Sequence, residues 1–182
     1  MDSASSAVKL TSLVLGSLLV ACSERPAPVR APAPAPVPAK APAGGFERPR
    51  EGLLPAVLAP SRTCNLEFVD GQPWAQAPVA LEAGRETRIT GWVVDADSGR
   101  VPADVFLRAQ KGSDSWVLPV SPTLPRDDVV AHLGGNTGFR LSGFEARLRP
   151  EGMPGGEYRV HLVYFLEGRA SVCDNGRTLI IR

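Results

Sequence analysis

The side chains with the widest chemical range in this 182-residue chain are three cysteines, Cys22, Cys64 and Cys173, and two histidines, His132 and His161. An adjacent pair of carboxylates, Asp127 and Asp128, stands in "PRDDVVAH". Thiolates attack electrophiles, bind soft metals or pair as disulfides, and paired carboxylates can exchange protons with a substrate. Spacing narrows these options. No two cysteines form a CxxC pair, and only His132 and His161 are at hand to complete a zinc set. The two aspartates open a short helical stretch, where negative charge complements the positive end of the helix. "DADSG" (95–99) invites a calcium reading. An EF-hand needs glycine at its sixth place and glutamate at its twelfth, and counting from Asp95 those places hold Arg100 and Phe106. A strand-ending turn is the better reading. The chain also lacks GxSxG, GxxxxGK[ST], HExxH and a GxGxxG turn. The expectation is a protein with no catalytic residues, no metal and no cofactor.

Cys22 has a different context. Residues 10–21, "LTSLVLGSLLVA", form an apolar run preceded by Lys9, with Asp2 weakening the positive flank. The run is too short for a bilayer span, which takes about 20 residues, and suits a signal-peptide core. Its end, Leu19-Val20-Ala21-Cys22, resembles the lipobox of bacterial lipoproteins. The resemblance implies that residues 1–21 are a cleaved signal peptide. It also implies that the Cys22 sulfur carries diacylglycerol and becomes the first residue of the mature chain. Ser23, in place of the aspartate that favours inner-membrane retention in that family, implies the outer membrane facing the periplasm.

The next stretch is built to be extended. Residues 25–45, "RPAPVRAPAPAPVPAKAPAGG", hold seven prolines and seven alanines. Proline lacks an N–H and fixes φ, so neither helix nor sheet can propagate. A disordered, semi-rigid Pro/Ala linker is expected over 22–45, at about 3.1 Å per residue in polyproline II form. Residues 46–62, "FERPREGLLPAVLAPSR", read as a transitional segment, either packed as a short turn or edge piece or left free. Basic residues gather in this leading part: Arg25, Arg30, Lys40, Arg48, Arg50 and Arg62 against Glu47 and Glu51 over residues 25–62. The whole chain carries +1, which gives no field for nucleic acid, and no nucleic-acid partner is expected.

From residue 63 the pattern changes to short β-branched and aromatic runs between turn signals. Strands are predicted at 64–69, 87–95, 103–110, 115–120, 138–148, 157–167, 170–173 and 178–182, with one helical turn over 126–133. Alternation places Val105, Leu107 and Ala109 inward, and Tyr158, Val160, Leu162 and Tyr164 likewise, with Arg159 and His161 outward. Leu179 and Ile181 flank Ile180, and Trp92 is expected in the core. The fold class is all-β, an antiparallel β-sandwich over 63–182.

"MPGGEYRVHL" (153–162) resembles the tyrosine corner of immunoglobulin-like and fibronectin type III sandwiches. That resemblance implies a Tyr158 hydroxyl bonded to nearby backbone. Residues 85–182 as a whole resemble an Ig-like module of bacterial envelope proteins, through "ITGWVVDADSGRVPADVFLRA", "LPRDDVVAHLGGNTGFRL" and "PGGEYRVHLVYFLEGRASVCDNGRTLIIR". The implied location is the cell envelope and the implied fold is Ig-like.

With Cys22 lipidated, Cys64 and Cys173 remain at strand ends in an oxidising compartment, and a disulfide between them is expected. The function expected from these readings is binding or scaffolding through a lipid-anchored module. The partner would be an envelope protein or a cell-wall glycan, and the candidate binding residues are Trp74 in "DGQPWAQ" and Trp116 in "SDSWVLP", which serve that role if exposed and are core or edge-strand packing otherwise. A glycan- or peptidoglycan-binding accessory role is the alternative, and it requires an aromatic platform on one face.

Overall fold

The computed structural model describes residues 44–182. The apolar leader, Cys22 and the Pro/Ala run as far as residue 43 lie outside the described residues. The elements, in order, are β1 (Gly44–Gly45), β2 (Ala59–Ser61), β3 (Cys64–Val69), β4 (Gln72–Pro73), β5 (Val79–Leu81), β6 (Thr87–Val93), β7 (Asp104–Lys111) and β8 (Asp114–Val120). They continue with helix α1 (Asp127–His132), a 3-10 turn (Thr137–Phe139), β9 (Gly143–Arg149), β10 (Gly156–Leu166) and β11 (Arg169–Ile181).

The strands form two sheets. The first runs β1-β9-β6-β3-β4, and the second β2-β11-β10-β7-β8, with β5 also on β11. The long strands form because their sequences alternate. β6 buries every second residue from Thr87 to Val93, and β7 buries Val105, Leu107 and Ala109. β10 buries Tyr158, Val160, Leu162 and Tyr164 as the alternation predicts. The inward residues of both sheets join in one apolar cluster that runs from Phe46 to Ile181. Gly91 of β6 sits where nothing larger fits, since an added Cβ would overlap the Asn65 carbonyl oxygen of β3.

Both sheets are mixed, which corrects the all-antiparallel expectation. β1 lies parallel to β9, and β2 and β5 lie parallel to successive parts of β11. These edge pieces are two or three residues long and too short to show a period.

The two strands expected at 170–173 and 178–182 are one, β11. The intervening "DNG" is not a turn between them. It forms a bulge opposite Val160 and His161, with Gly176 at φ 67°. The strand expected at 138–148 begins only at Gly143, because residues 137–139 make the 3-10 turn that buries Phe139. Phe139, Val94 and Val129 of α1 form a second, small apolar cluster. Trp92 packs half-buried against that cluster and is not in the main core.

Residues 44–62 are part of this fold, which places the domain's start earlier than the expected position 63. Gly44 and Gly45 pair with β9, Phe46 enters the core, and Glu47 exchanges two backbone hydrogen bonds with Val117 of β8 (2.8 and 2.9 Å). The chain next joins a sheet at β2, on β11. β8 and β2 are opposite edges of the second sheet, so residues 48–58 cross its outer face as a strap.

Candidate functional site

Cys64 and Cys173 form a disulfide with Cα atoms 6.3 Å apart. Both are buried, and the bond ties β3 of the first sheet to β11 of the second. The β11 bulge adds a second tie beside it. The Asn175 amide accepts from the Leu66 N–H (3.1 Å) and donates to the Cys64 carbonyl (3.2 Å), and Arg177 Nε donates to the Leu66 carbonyl (3.1 Å). The sequence signalled the thiols but not Asn175, which is disguised by a turn-like "DNG".

Of the two roles open to Trp74 and Trp116, exposed platform or packing, the structure has packing. Trp74 is 2% exposed and Trp116 3%, both within the main core. Trp116 meets Tyr158 edge-on at 5.2 Å, and the Arg48 guanidinium covers it at 4.1 Å. Arg48 arrives on the strap, so the segment read as transitional is what closes over this ring. The Tyr158 hydroxyl donates to the Pro154 carbonyl at 2.5 Å, the local bond expected of a tyrosine corner.

The remaining candidates are spread through the structure. Asp127 pairs with Arg140, and Asp128 with Arg126, at the start of α1. Arg126 also holds Glu67 of β3 through two hydrogen bonds, at 2.7 and 3.0 Å. The Arg126 hydrogen bond pulls the Asp128 carboxyl down to about 2. Arg126 thus fastens the helix start to β3, and the two aspartates, paired with different arginines, do not converge on a shared substrate position. His132 is exposed.

Asp95 of "DADSG" makes the expected turn, accepting from the Ser98 N–H at 2.8 Å. It is also buried and bonded to Arg169, which reaches Asp97 as well. Burial pushes the Asp95 carboxyl up, yet the Ser98 and Arg169 bonds outweigh it and hold the group below its ordinary value. A small cleft of about 150 Å³ opens here, lined by Asp95, Asp97, Arg169, Ser61, Thr63 and Tyr164. Its hydroxyls bond one another from Tyr164 to Ser61 to Thr63, ending on the Val94 carbonyl. Among the described residues no group of three or more His, Cys, Asp or Glu is placed to hold a metal ion.

The least expected environment is the outer face of the second sheet. Asp174, His161, Arg108 and Val117 lie side by side across β11, β10, β7 and β8. His161, expected on an exposed face, is 7% exposed, and its neighbour Val163 is fully buried. The correction has a simple cause: the strap crosses this face, and alternation along β10 carries no information about what covers it. Burial pushes the His161 imidazole below its ordinary value, against the pull of Asp174, which lies 3.7 Å away. Between strap and sheet lies a groove of about 490 Å³. Arg108, Ser113 and Ser115 line one side, and Leu54, Pro55 and Leu58 the other.

With this geometry in hand, comparison with known proteins adds no relative: no family model, curated protein or solved structure matches the chain.

Proposed function

We propose that this protein is a lipid-anchored envelope protein whose β module, an Ig-like sandwich, works by binding or scaffolding. The observation that carries the reading is the way the chain enters the domain. Residues 44–62 are stitched in turn to β9, the core, β8 and β11. The Cys64–Cys173 bond sits a few residues beyond the last stitch. A pull on the N-terminus is therefore shared between both sheets and a covalent tie. That is a useful mount for a module held by a Pro/Ala stalk at Cys22. The bonded Tyr158 hydroxyl supports the Ig-like reading. Side chains that could have done chemistry are engaged in structure: two thiols in the disulfide, and Asp95, Asp127 and Asp128 in ion pairs.

The partner class we favour is an envelope protein over a glycan, because burial of Trp74 and Trp116 removes the aromatic platform a glycan site was expected to use. Intact mass of the membrane-extracted protein tests the anchor. Diacylated Cys22 as first residue, and a Cys22→Ala chain that leaves membranes without detergent, are the expected results. An unmodified N-terminus would end the lipoprotein reading. Crosslinking in the native envelope followed by mass spectrometry tests the partner, with protein adducts on the module expected.

A further inference from the structure

We propose that the groove under the strap is a binding site for a carboxylate carried on a small apolar group, the chemistry of a peptide's C-terminal residue, with the Arg108 guanidinium as its receptor. The inference goes beyond the anchoring reading and does not depend on it.

Arg108 is the anomaly that leads there. The other half-buried arginines each have an oxygen to neutralise or satisfy them. Arg88, Arg126 and Arg147 pair with carboxylates, and Arg177 bonds the Leu66 carbonyl. Arg108 donates from Nε to the Ser115 hydroxyl at 3.0 Å, and among the described residues no carboxylate pairs with it. Its two Nη nitrogens bond no described residue. Burial depresses its guanidinium pKa, and no described anion restores it. A half-buried guanidinium that spends one donor on a hydroxyl and pairs with no described carboxylate has its fork free for an anion.

The groove has the shape of the missing partner. A guanidinium is a planar fork whose donors match a carboxylate's two oxygens. Ser113 and Ser115 stand beside it with further hydroxyls. Asp114, which also lines the groove, is neutralised by Arg48 at 2.7 Å and does not occupy Arg108. The opposite wall, Pro49, Leu54, Pro55, Ala56 and Leu58, is apolar. Such a wall favours a methyl or larger aliphatic group over the hydroxyls of a sugar acid.

The test is a nitrogen-15 NMR titration of the full chain in detergent with four probes: N-acetyl-alanyl-alanine, its C-terminal amide, glucuronate and inorganic phosphate. The peptide acid is expected to give saturable shifts at Ser113, Ser115 and His161, with Kd on the order of 1 mM. The amide should be silent, and glucuronate and phosphate weaker. Arg108→Lys, which loses the fork, should weaken binding at least about tenfold. Arg108→Met should abolish binding and raise the thermal midpoint of the unliganded protein, because it removes a half-buried charge that no described carboxylate neutralises. No saturable shift, an amide that binds as well as the acid, or phosphate or glucuronate binding more tightly than the peptide would each overturn the proposal. So would an Arg108→Met protein that is less stable than the parent, since that would make Arg108 a structural residue.

Discussion

Cys64 and Cys173 join one sheet to the other across a sequence separation of 109 residues. In the chain-entropy account, closing a loop of this length removes so much freedom from the unfolded chain that the bond is worth about 4–5 kcal/mol. Replacing both cysteines by alanine should lower the unfolding free energy by up to that amount. Guanidinium titrations of the parent with and without reductant, set beside the double variant, check it. The reduced parent and the variant should agree. An unchanged midpoint in both would mean that the bond does not constrain the unfolded chain.

Asn175 should behave as a second clasp. Its amide satisfies the Leu66 N–H and the Cys64 carbonyl across the sheets. Asn175→Ala leaves those backbone groups without partners in a half-buried place, at a cost of about 1–3 kcal/mol. Asn175→Asp keeps the acceptor for Leu66 but sets a carboxylate oxygen against the Cys64 carbonyl oxygen, so it should not restore the parent's stability. Urea denaturation of the three proteins ranks them, and an alanine variant as stable as the parent would remove Asn175 from the set of inter-sheet ties.

What the sequence disclosed and what it hid divide along one physical line. Period-2 alternation in β6, β7 and β10 reports a strand's own two faces, and Val105, Leu107, Ala109, Tyr158, Val160, Leu162 and Tyr164 are buried as it predicts. It does not report what lies over the outer face. His161 is buried for this reason, on an outer face crossed by a segment whose sequence left packing open, whereas Trp116 is paired with Ala109 on the inner face and packs on Tyr158 in the main core. The entry to the strap has no period, since residues 44–47 meet the domain through two glycines, one phenylalanine and a single bridge at Glu47. Trp74 follows a two-residue strand that no pattern could announce. The aspartates of α1 and "DADSG" were legible because helix starts and Asx turns are local. Arg108 was not, because an arginine with no carboxylate among the described residues can only be recognised once its neighbours are placed.

His161 gives the protein a predictable pH response. Its folded pKa lies below the ordinary 6.5 because burial outweighs the Asp174 charge, with Arg108 and Arg159 acting in the same direction as burial. Below about pH 6.5 the unfolded chain binds a proton that the folded chain refuses, so stability rises with pH in this window. The contribution should be complete above that value, fall as pH drops toward the folded pKa, and level off beneath it. Urea midpoints from about pH 7.5 to pH 5 measure the slope, and His161→Gln should flatten it. Asp128 acts lower: its stabilisation is present above 3.8 and fades as pH falls through about 2, which separates the two groups.

The strap offers the sharpest test of where the folded module begins. Phe46 is buried in the core cluster, and Glu47 fixes the next step on β8. Because residues 44–62 are part of the fold, Phe46→Ala opens a cavity and should cost about 3–5 kcal/mol, as large core truncations do. If they were a loose leader, the same change would be near zero. Val57→Ala is the internal control, because Val57 is 83% exposed on the same segment and should be nearly neutral. Thermal unfolding of both variants, with the His161 imidazole signals followed by NMR, links stability to the covered face. Phe46→Ala should also let solvent reach His161 and move its pKa back toward 6.5, since the strap that buries it loses its anchor. A Phe46→Ala protein with parental stability and an unchanged His161 would return residues 44–62 to the linker.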